Sequence, residues 1–313
     1  MKKIAVLGGG ISGYGSAILA KKKGFDVFLS DMGKIADRYK AKLDEWQVPY
    51  EEGGHTEERI LAAHEVVKSP GIPETAPIVR KIRAAGIPVI SEMEFAGRYL
   101  GRSKCICITG SNGKTTTTSL IYKIMRDAGM RVALGGNIGE SFAYSVATGD
   151  YDWYVLELSS FQLMTMKRSP AIAVVTNLSP NHLDVHKSYQ EYIEAKANVF
   201  LHQGKDGVTV FNADNADSRA SARKAPGEVR WFSRQGRVEN GVFLEDGVLY
   251  QAEGGSVTPI LPISDIALPG MHNVENYMAA FAAVRGLVSA ETMDAVARSF
   301  HGVEHRIERT RVR

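Results

Sequence analysis

Only two cysteines, Cys105 and Cys107, occur in 313 residues. That excludes a disulfide framework and fits a reducing cytoplasm. Their C-x-C spacing places both on one face of a predicted buried strand, as core residues. No run approaches the roughly 20 apolar residues that span a bilayer. Met1-Lys2-Lys3 opens like a signal peptide, but the apolar stretch after it breaks into glycines past Leu7, too soon for a signal sequence. No large charge imbalance exists: the formal net charge is +3, so no electrostatic footprint for nucleic acid is expected. The arginines from Arg306 to Arg313 form a short solvated tail or strand, not a binding arm. Internal repeats and low-complexity tracts are missing. What remains is 44% hydrophobic and 23% charged residues, an ordinary globular composition with length for about two domains.

The pattern along the chain is alternating strand and helix, which predicts an α/β fold built on parallel sheets. A first unit carries strands at Ile4–Leu7, Val27–Ser30, around Val66, and at Ile87–Ile90, and ends near residue 93. A second unit, from 94 to about 298, carries strands at Cys105–Thr109, Arg131–Leu134, Trp153–Leu158, Ala171–Asn177 and Gly207–Asn212. Helices are expected over Tyr189–Leu201, Asn273–Val288 and Ala290–Phe300. The dipeptides Asn240-Gly241 and Asp246-Gly247 between short apolar runs are hairpin chemistry, so about Glu228 to Pro269 is expected to be antiparallel. Residues 299–313 read as the start of a linker. The chain stops inside what reads as a further strand, and a further domain is expected beyond it. The fold class is thus an N-terminal Rossmann-like parallel sheet domain plus a central P-loop mononucleotide-binding domain with a small antiparallel section, the third domain being absent.

Two glycine turns carry the chemistry. Gly110-Ser111-Asn112-Gly113-Lys114-Thr115-Thr116 follows an apolar strand and enters a helix. Glycines admit backbone N–H groups to a phosphate, the helix N-terminus adds its positive end, and Lys114 supplies a point charge. The Thr115 hydroxyl is placed to hold Mg²⁺ on the same phosphates. Gly8-x-Gly10-x-x-Gly13 follows another strand, with Asp31 ending the next, which fits a dinucleotide fingerprint and by itself points to NAD. A simple dehydrogenase leaves the second phosphate loop unexplained. Two nucleotide sites suggest one nucleotide-linked substrate and one ATP.

Carboxyl ends of parallel strands share an edge, where ligands bind. Asn137, Glu157 and Asn181-His182-Leu183-Asp184 all follow strands of the second unit, and so should converge with the phosphate loop. Glu157 and His182 suit a Mg²⁺ site beside phosphates. His186 reads as a hydrogen-bonded loop histidine, and His55, His64 and His202 as surface residues. Lys196 by composition is a solvated helix lysine.

The strings Gly110–Thr117, Gly136-Asn137-Ile138-Gly139, Leu156-Glu157-Leu158-Ser159-Ser160-Phe161-Gln162-Leu163, Asn177–Asp184 and Gly270-Met271-His272-Asn273-Val274-Glu275-Asn276 resemble those of the Mur ligases, in the expected order over most of the chain. The resemblance implies ATP-dependent amide formation in peptidoglycan precursor synthesis, in the cytoplasm. It implies two Mg²⁺, with UDP-N-acetylmuramoyl-L-alanine and D-glutamate as substrates and neither nucleic acid nor membrane as partner. By the same resemblance Ser12, Asp31 and the turn Ser69-Pro70-Gly71 would lie near the uridine diphosphate. Asn137 and Ser159 would position the muramoyl-alanine. Asn276 and Arg306 would lie near ATP. Glu157, His182 and an N-carboxylated Lys196 would hold the second metal. Family members have a third domain after the His305-Arg306 motif, so this chain alone is expected to bind its ligands with little or no turnover. The alternatives are a non-catalytic UDP-sugar-binding module and an NAD-dependent oxidoreductase.

Overall fold

A computed structural model describes residues 1–180, 186 and 188–302. The chain begins β1 (Lys3–Leu7), α1 (Ile11–Lys22), β2 (Asp26–Asp31), α2 (Asp37–Glu45), β3 (Tyr50–Glu52), α3 (Glu57–Leu61) and β4 (Glu65–Lys68). It continues α4 (Pro77–Ala84), β5 (Val89–Ile90), α5 (Glu92–Gly97), β6 (Lys104–Thr109), α6 (Lys114–Asp127), β7 (Val132–Gly136) and α7 (Phe142–Thr148). Then come β8 (Trp153–Glu157), α8 (Ser160–Leu163), β9 (Ile172–Val175), α9 (Tyr189–Ala197), β10 (Val208–Asn212) and α10 (Ala216–Ala222). It closes with β11 (Glu228–Ser233), β12 (Gly241–Glu245), β13 (Val248–Glu253), β14 (Ser256–Pro262), α11 (Met271–Val284) and α12 (Ala290–Ser299).

These elements form two compact units. The first comprises Met1–Ser103 with Gly139–Tyr151 and Met164–Lys167. Its sheet is wholly parallel, in the order β3-β2-β1-β4-β5, the order of a dinucleotide-binding half. Ala5, Leu7, Phe28, Val66, Ile78 and Ile82 fill one side of it. The sequence boundary expected at residues 93/94 falls inside this packed unit, which runs on through α5 and also takes up α7. The attachment is polar. Glu92 at the start of α5 is 3% exposed. Its Oε1 accepts from the Ser141 hydroxyl at 2.5 Å and from the Ala143 N–H at 3.0 Å, and the Ser12 hydroxyl bonds the same carboxylate. Glu92 therefore serves α7 as an N-terminal anion, and burial pushes its pKa above the ordinary carboxylate value. Glu92→Ala would leave these buried donors without an acceptor. The first unit should lose about 2–3 kcal/mol, read as a lower urea midpoint; Glu92→Gln, which keeps an acceptor oxygen, should lose less.

The second unit, Lys104–Ile138, Asp152–Leu163 and Arg168–Arg313, is built on a nine-stranded sheet of order β14-β13-β12-β11-β10-β9-β6-β8-β7. Ile106, Ile108, Val155, Val174 and Val210 point to one side, against α6, α11 and α12. The other face holds Cys105 and Cys107, 6% and 3% exposed, as free thiols; burial pushes the Cys105 thiol up to about 12. They are core residues.

The antiparallel expectation for Glu228–Pro269 needs correction. β11 pairs parallel with both β10 and β12, and only β12–β13 and β13–β14 are antiparallel. A parallel return usually needs a dozen or more residues. Residues 234–240 suffice because β12 overlaps only Trp231–Ser233 of β11. Asn240-Gly241 is accordingly the entry to β12, not a hairpin turn. Asp246-Gly247 is one, with φ of 48° and 75°, and Gly254-Gly255, which the sequence reading passed over, is another, with φ of 57° and 84°.

A phosphate cradle at one sheet edge

β6 ends at Thr109, and the chain crosses the carboxyl edge of the second sheet to α6. Gly113 caps α6 with φ 81° and no side-chain cap bond. The first-turn N–H groups of a helix lack intrahelical partners, and no acidic side chain stands in that turn. A positive, donor-rich helix end therefore faces the loop. A Cβ at Gly113 would lie 2.2 Å from Asn276 Oδ1. That close approach brings the start of α11 against the loop, and Asn276, 6% exposed, accepts from the Thr117 hydroxyl at 3.3 Å. Lys114 folds across the loop and donates to the carbonyls of Gly110 and Ser111, both at 3.1 Å.

A cleft of about 400 Å³ opens here, lined by the loop from Ser111 to Thr116 together with Asn137, Glu157, His272, Asn273 and Asn276. The predicted convergence of the phosphate loop with Asn137 and Glu157 is present. Asn137 and Glu157 meet twice: the Asn137 N–H reaches the Glu157 carbonyl at 2.8 Å, and Nδ2 donates to Glu157 Oε1 at 3.0 Å. Glu157 is 2% exposed, yet its Oε2 has no hydrogen-bond partner among the described residues. A buried carboxylate oxygen left bare is costly, and it fits a cation ligand. Among the described residues no cluster of three His, Cys, Asp or Glu could hold a metal by itself, so other oxygens, a ligand's phosphates included, would have to complete a coordination shell.

Lys196 is not the solvated lysine that composition suggests. It is 2% exposed, and Nζ donates to Gly110 O at 2.9 Å and Thr109 Oγ1 at 3.2 Å, lying 4.6 Å from the centre of the Tyr192 ring. Burial, and then the nearby Lys114 charge, push its pKa from 10.5 down to about 7, against a smaller opposing pull from Glu157. An amine partly neutral near pH 7 is open to covalent chemistry that an ordinary lysine resists. The linkage has a definite sign. With the folded-state pKa depressed, the unfolded chain binds more protons between about 7 and 10.5, so stability should rise with pH across that window. Urea midpoints at about pH 7 and about pH 9 should show the rise in the wild type and a flatter response in Lys196→Met.

His186 is buried, bonded through Nε2 to the Ser160 hydroxyl at 2.9 Å and stacked on Phe161, the hydrogen-bonded histidine expected, through that one nitrogen. Ser159 donates to Gln162 Oε1 at 2.9 Å. His182, Asp184, His305 and Arg306 lie outside the described residues. His272 and Asn273 line the cleft without having been assigned a role from sequence. The signal was their place beside Asn276 in the first two turns of one helix.

In the first unit, Asp31 ties the glycine turn to the loop after β2. Oδ2 accepts from Gly9 N at 2.5 Å and Oδ1 from Gly33 N at 2.7 Å. Ser12 is buried on Glu92. Pro70 and Gly71 are exposed, and the buried Ser69 Oγ has no partner among the described residues. His64 and His202 are exposed, as expected. His55 is half-buried, 2.6 Å from the Ser30 hydroxyl through Nδ1, and so is not a plain surface residue.

Comparison with known proteins gives a consistent picture. Residues 108–284 match the Mur ligase middle domain, and residues 2–91 the Mur ligase MurD-like N-terminal domain. The UDP-N-acetylmuramoylalanine–D-glutamate ligase of Bacteroides fragilis is 46% identical over 319 residues, covering 99% of this chain and 70% of that protein. The enzyme of the same name from Acetivibrio thermocellus is 42% identical, covering 99% of this chain and 67% of that protein. Among solved structures, the UDP-N-acetylmuramate:L-alanyl-gamma-D-glutamyl-meso-diaminopimelate ligase of Neisseria meningitides superposes with TM-score 0.69 at 21% identity, over 97% of this chain and 99% of that one. The UDP-N-acetylmuramate-alanine ligase of Thermotoga maritima gives 0.61 at 19% identity, over 97% and 69%. At these identities the two structures speak for the fold alone.

Proposed function

The chain belongs to the Mur ligase family, and on that premise we propose that it serves ATP-dependent addition of D-glutamate to UDP-N-acetylmuramoyl-L-alanine, in peptidoglycan precursor synthesis. The observation that carries this reading is the bare, buried Glu157 Oε2 in the same cleft as the phosphate loop, and the relatives at 40–46% identity support the choice of substrates. A carboxylate is a poor electrophile. Transfer of the terminal phosphoryl group of ATP to an oxygen of the alanyl carboxylate, with ADP leaving, gives an acyl phosphate. The D-glutamate nitrogen then attacks the acyl carbon. The C–N bond forms, the C–O bond to phosphate breaks, inorganic phosphate departs, and the amine gives up a proton to solvent or base.

Phosphoryl transfer asks a protein mainly for position and charge neutralisation. The N–H groups at the start of α6 and Lys114 would hold the ATP phosphates, and Asn276 would hold the loop against α11. Asn137 and Ser159 would orient the alanyl carboxylate, and the turns at Gly8 and Ser69-Pro70-Gly71 in the first unit would bind the uridine diphosphate. Two Mg²⁺ ions would fit the family's chemistry. Thr115 would hold one, Glu157 and Lys196 in its N-carboxylated form the other, with His182 as a further ligand. Bound there, magnesium supplies charge neutralisation on the transferring phosphate. A cytoplasmic location would suit a reaction that consumes ATP; among the described residues no helix is long and apolar enough to cross a membrane.

Titration calorimetry is the direct test. The chain should bind ATP with Mg²⁺ and UDP-N-acetylmuramoyl-L-alanine, each with 1:1 stoichiometry, and should not bind NADH. Tight NADH binding together with no response to the UDP-sugar would replace this reading by an oxidoreductase.

A further inference from the structure

The end of β9 and the residues just after it build a second wall under the phosphate loop. The Asn177 side-chain amide grips one peptide residue from both sides: its Oδ1 accepts from the Asn112 N–H at 2.9 Å, and its Nδ2 donates to the Asn112 carbonyl at 3.1 Å. The Thr176 hydroxyl donates to the same carbonyl at 2.6 Å. The Asn177 carbonyl takes the Ser111 N–H at 2.9 Å, and the Thr176 N–H takes the Thr109 carbonyl at 3.0 Å. The packing is tight enough that a Cβ on Gly110, whose φ is 143°, would lie 2.0 Å from Thr176 Oγ1.

The consequence concerns which amides remain for an anion. A backbone N–H donates effectively to one acceptor at a time. Those of Ser111 and Asn112 are spent on Asn177, just past β9, although both residues belong to the loop that sequence alone would assign wholly to phosphate. The donors left facing the cleft start at Gly113 and run into the first turn of α6.

We propose that Asn177 is a positioning residue for nucleotide binding. It copies a strand partner with its side chain, holds the Asn112 peptide in one orientation, and confines the phosphate-binding amides to Gly113 and the first turn of α6. The inference rests on the nucleotide reading of this cleft and adds to it a residue that touches the loop and not the ligand. Without the clamp the Asn112 peptide is free to rotate, and part of the binding free energy goes into ordering it.

The test compares Asn177→Ala with Asn177→Asp in the whole chain. Two measurements are made: amide hydrogen exchange at Asn112 by NMR, and affinity for ATP and ADP with Mg²⁺ by calorimetry. In Asn177→Ala the Asn112 amide should lose its protection and nucleotide affinity should fall about tenfold, with UDP-sugar affinity unchanged. Asn177→Asp keeps the acceptor for the Asn112 N–H, so protection there should persist. Its added negative charge beside the loop should nevertheless weaken nucleotide binding at least as much as alanine does. Unchanged Asn112 exchange in Asn177→Ala, or nucleotide affinity within twofold of wild type, would overturn the proposal. A wild-type chain that binds neither ATP nor ADP would instead refute the nucleotide reading, and the exchange measurement would still decide whether the clamp exists.

Discussion

In a protein that also carries the third domain implied by the family resemblance, Lys114→Ala is expected to lower D-glutamate-dependent ADP release by about three orders of magnitude. Lys114 is the only lysine or arginine among the described residues that line the cleft. The N–H groups of the α6 terminus supply partial charges, and this ammonium adds the nearest full one. Its resting bonds are to the neutral loop carbonyls of Gly110 and Ser111, and a phosphate, which carries full negative charge, draws the ammonium away from them. Lys114→Arg should not restore the rate, because a planar fork cannot take the place of a compact ammonium folded over a tight loop. Neither variant should change affinity for the UDP-substrate in the first unit. A turnover rate for Lys114→Ala within tenfold of wild type would remove this lysine from the chemistry.

Glu157→Gln should separate stability from function. In the wild type Asn137 satisfies Oε1, whereas the buried Oε2 has no partner among the described residues. A buried oxygen without a partner is costly until a cation or donor reaches it. The neutral amide keeps the shape and removes the charge. Without Mg²⁺ the variant should melt at the same temperature as wild type or higher. Addition of Mg²⁺ with ADP should raise the wild-type melting temperature through ligand linkage and leave Glu157→Gln nearly unmoved; with the third domain present, ADP release should fall by about 10²–10³-fold. An equal Mg²⁺-dependent rise in both proteins would show that Glu157 is not a metal ligand. Asn137→Ala offers an internal comparison: it bares Oε1 as well, and should cost stability where Glu157→Gln does not.

Much of the site was legible before any coordinates. The strand before Gly110, the helix after it and the polar residues at three other strand ends placed one cleft on one sheet edge, and Asn137 and Glu157 are there with the loop. Short-range pattern served well because a βα turn is local: the glycines, the lysine and the helix start lie within a few residues of one another. The antiparallel section was misread at β11 for the complementary reason. An Asn-Gly step marks a tight turn, but whether the next strand runs back or alongside depends on how far it overlaps its neighbour, which is set by the whole sheet.

Lys196 shows the division most sharply. On a helix rich in Glu, Ala and Lys, nothing in composition distinguishes a buried lysine from a solvated one, and only the family resemblance singled it out. Its burial, its bonds to Thr109 and Gly110, and its depressed pKa come from α9 packing against a loop more than 80 residues earlier. The same holds for Glu92, an acid on α5 that captures α7 across some 50 residues, and for Asn177, whose grip on Asn112 spans 65. By itself the sequence determined which strands and helices form, where the phosphate loop lies and which residue types stand at the strand ends. Tertiary structure decided which side chains lose water, which amides are already spent and which carboxylate oxygen is left bare. Those are outcomes of contact between distant segments, and desolvation and hydrogen-bond saturation have no local signature along a chain.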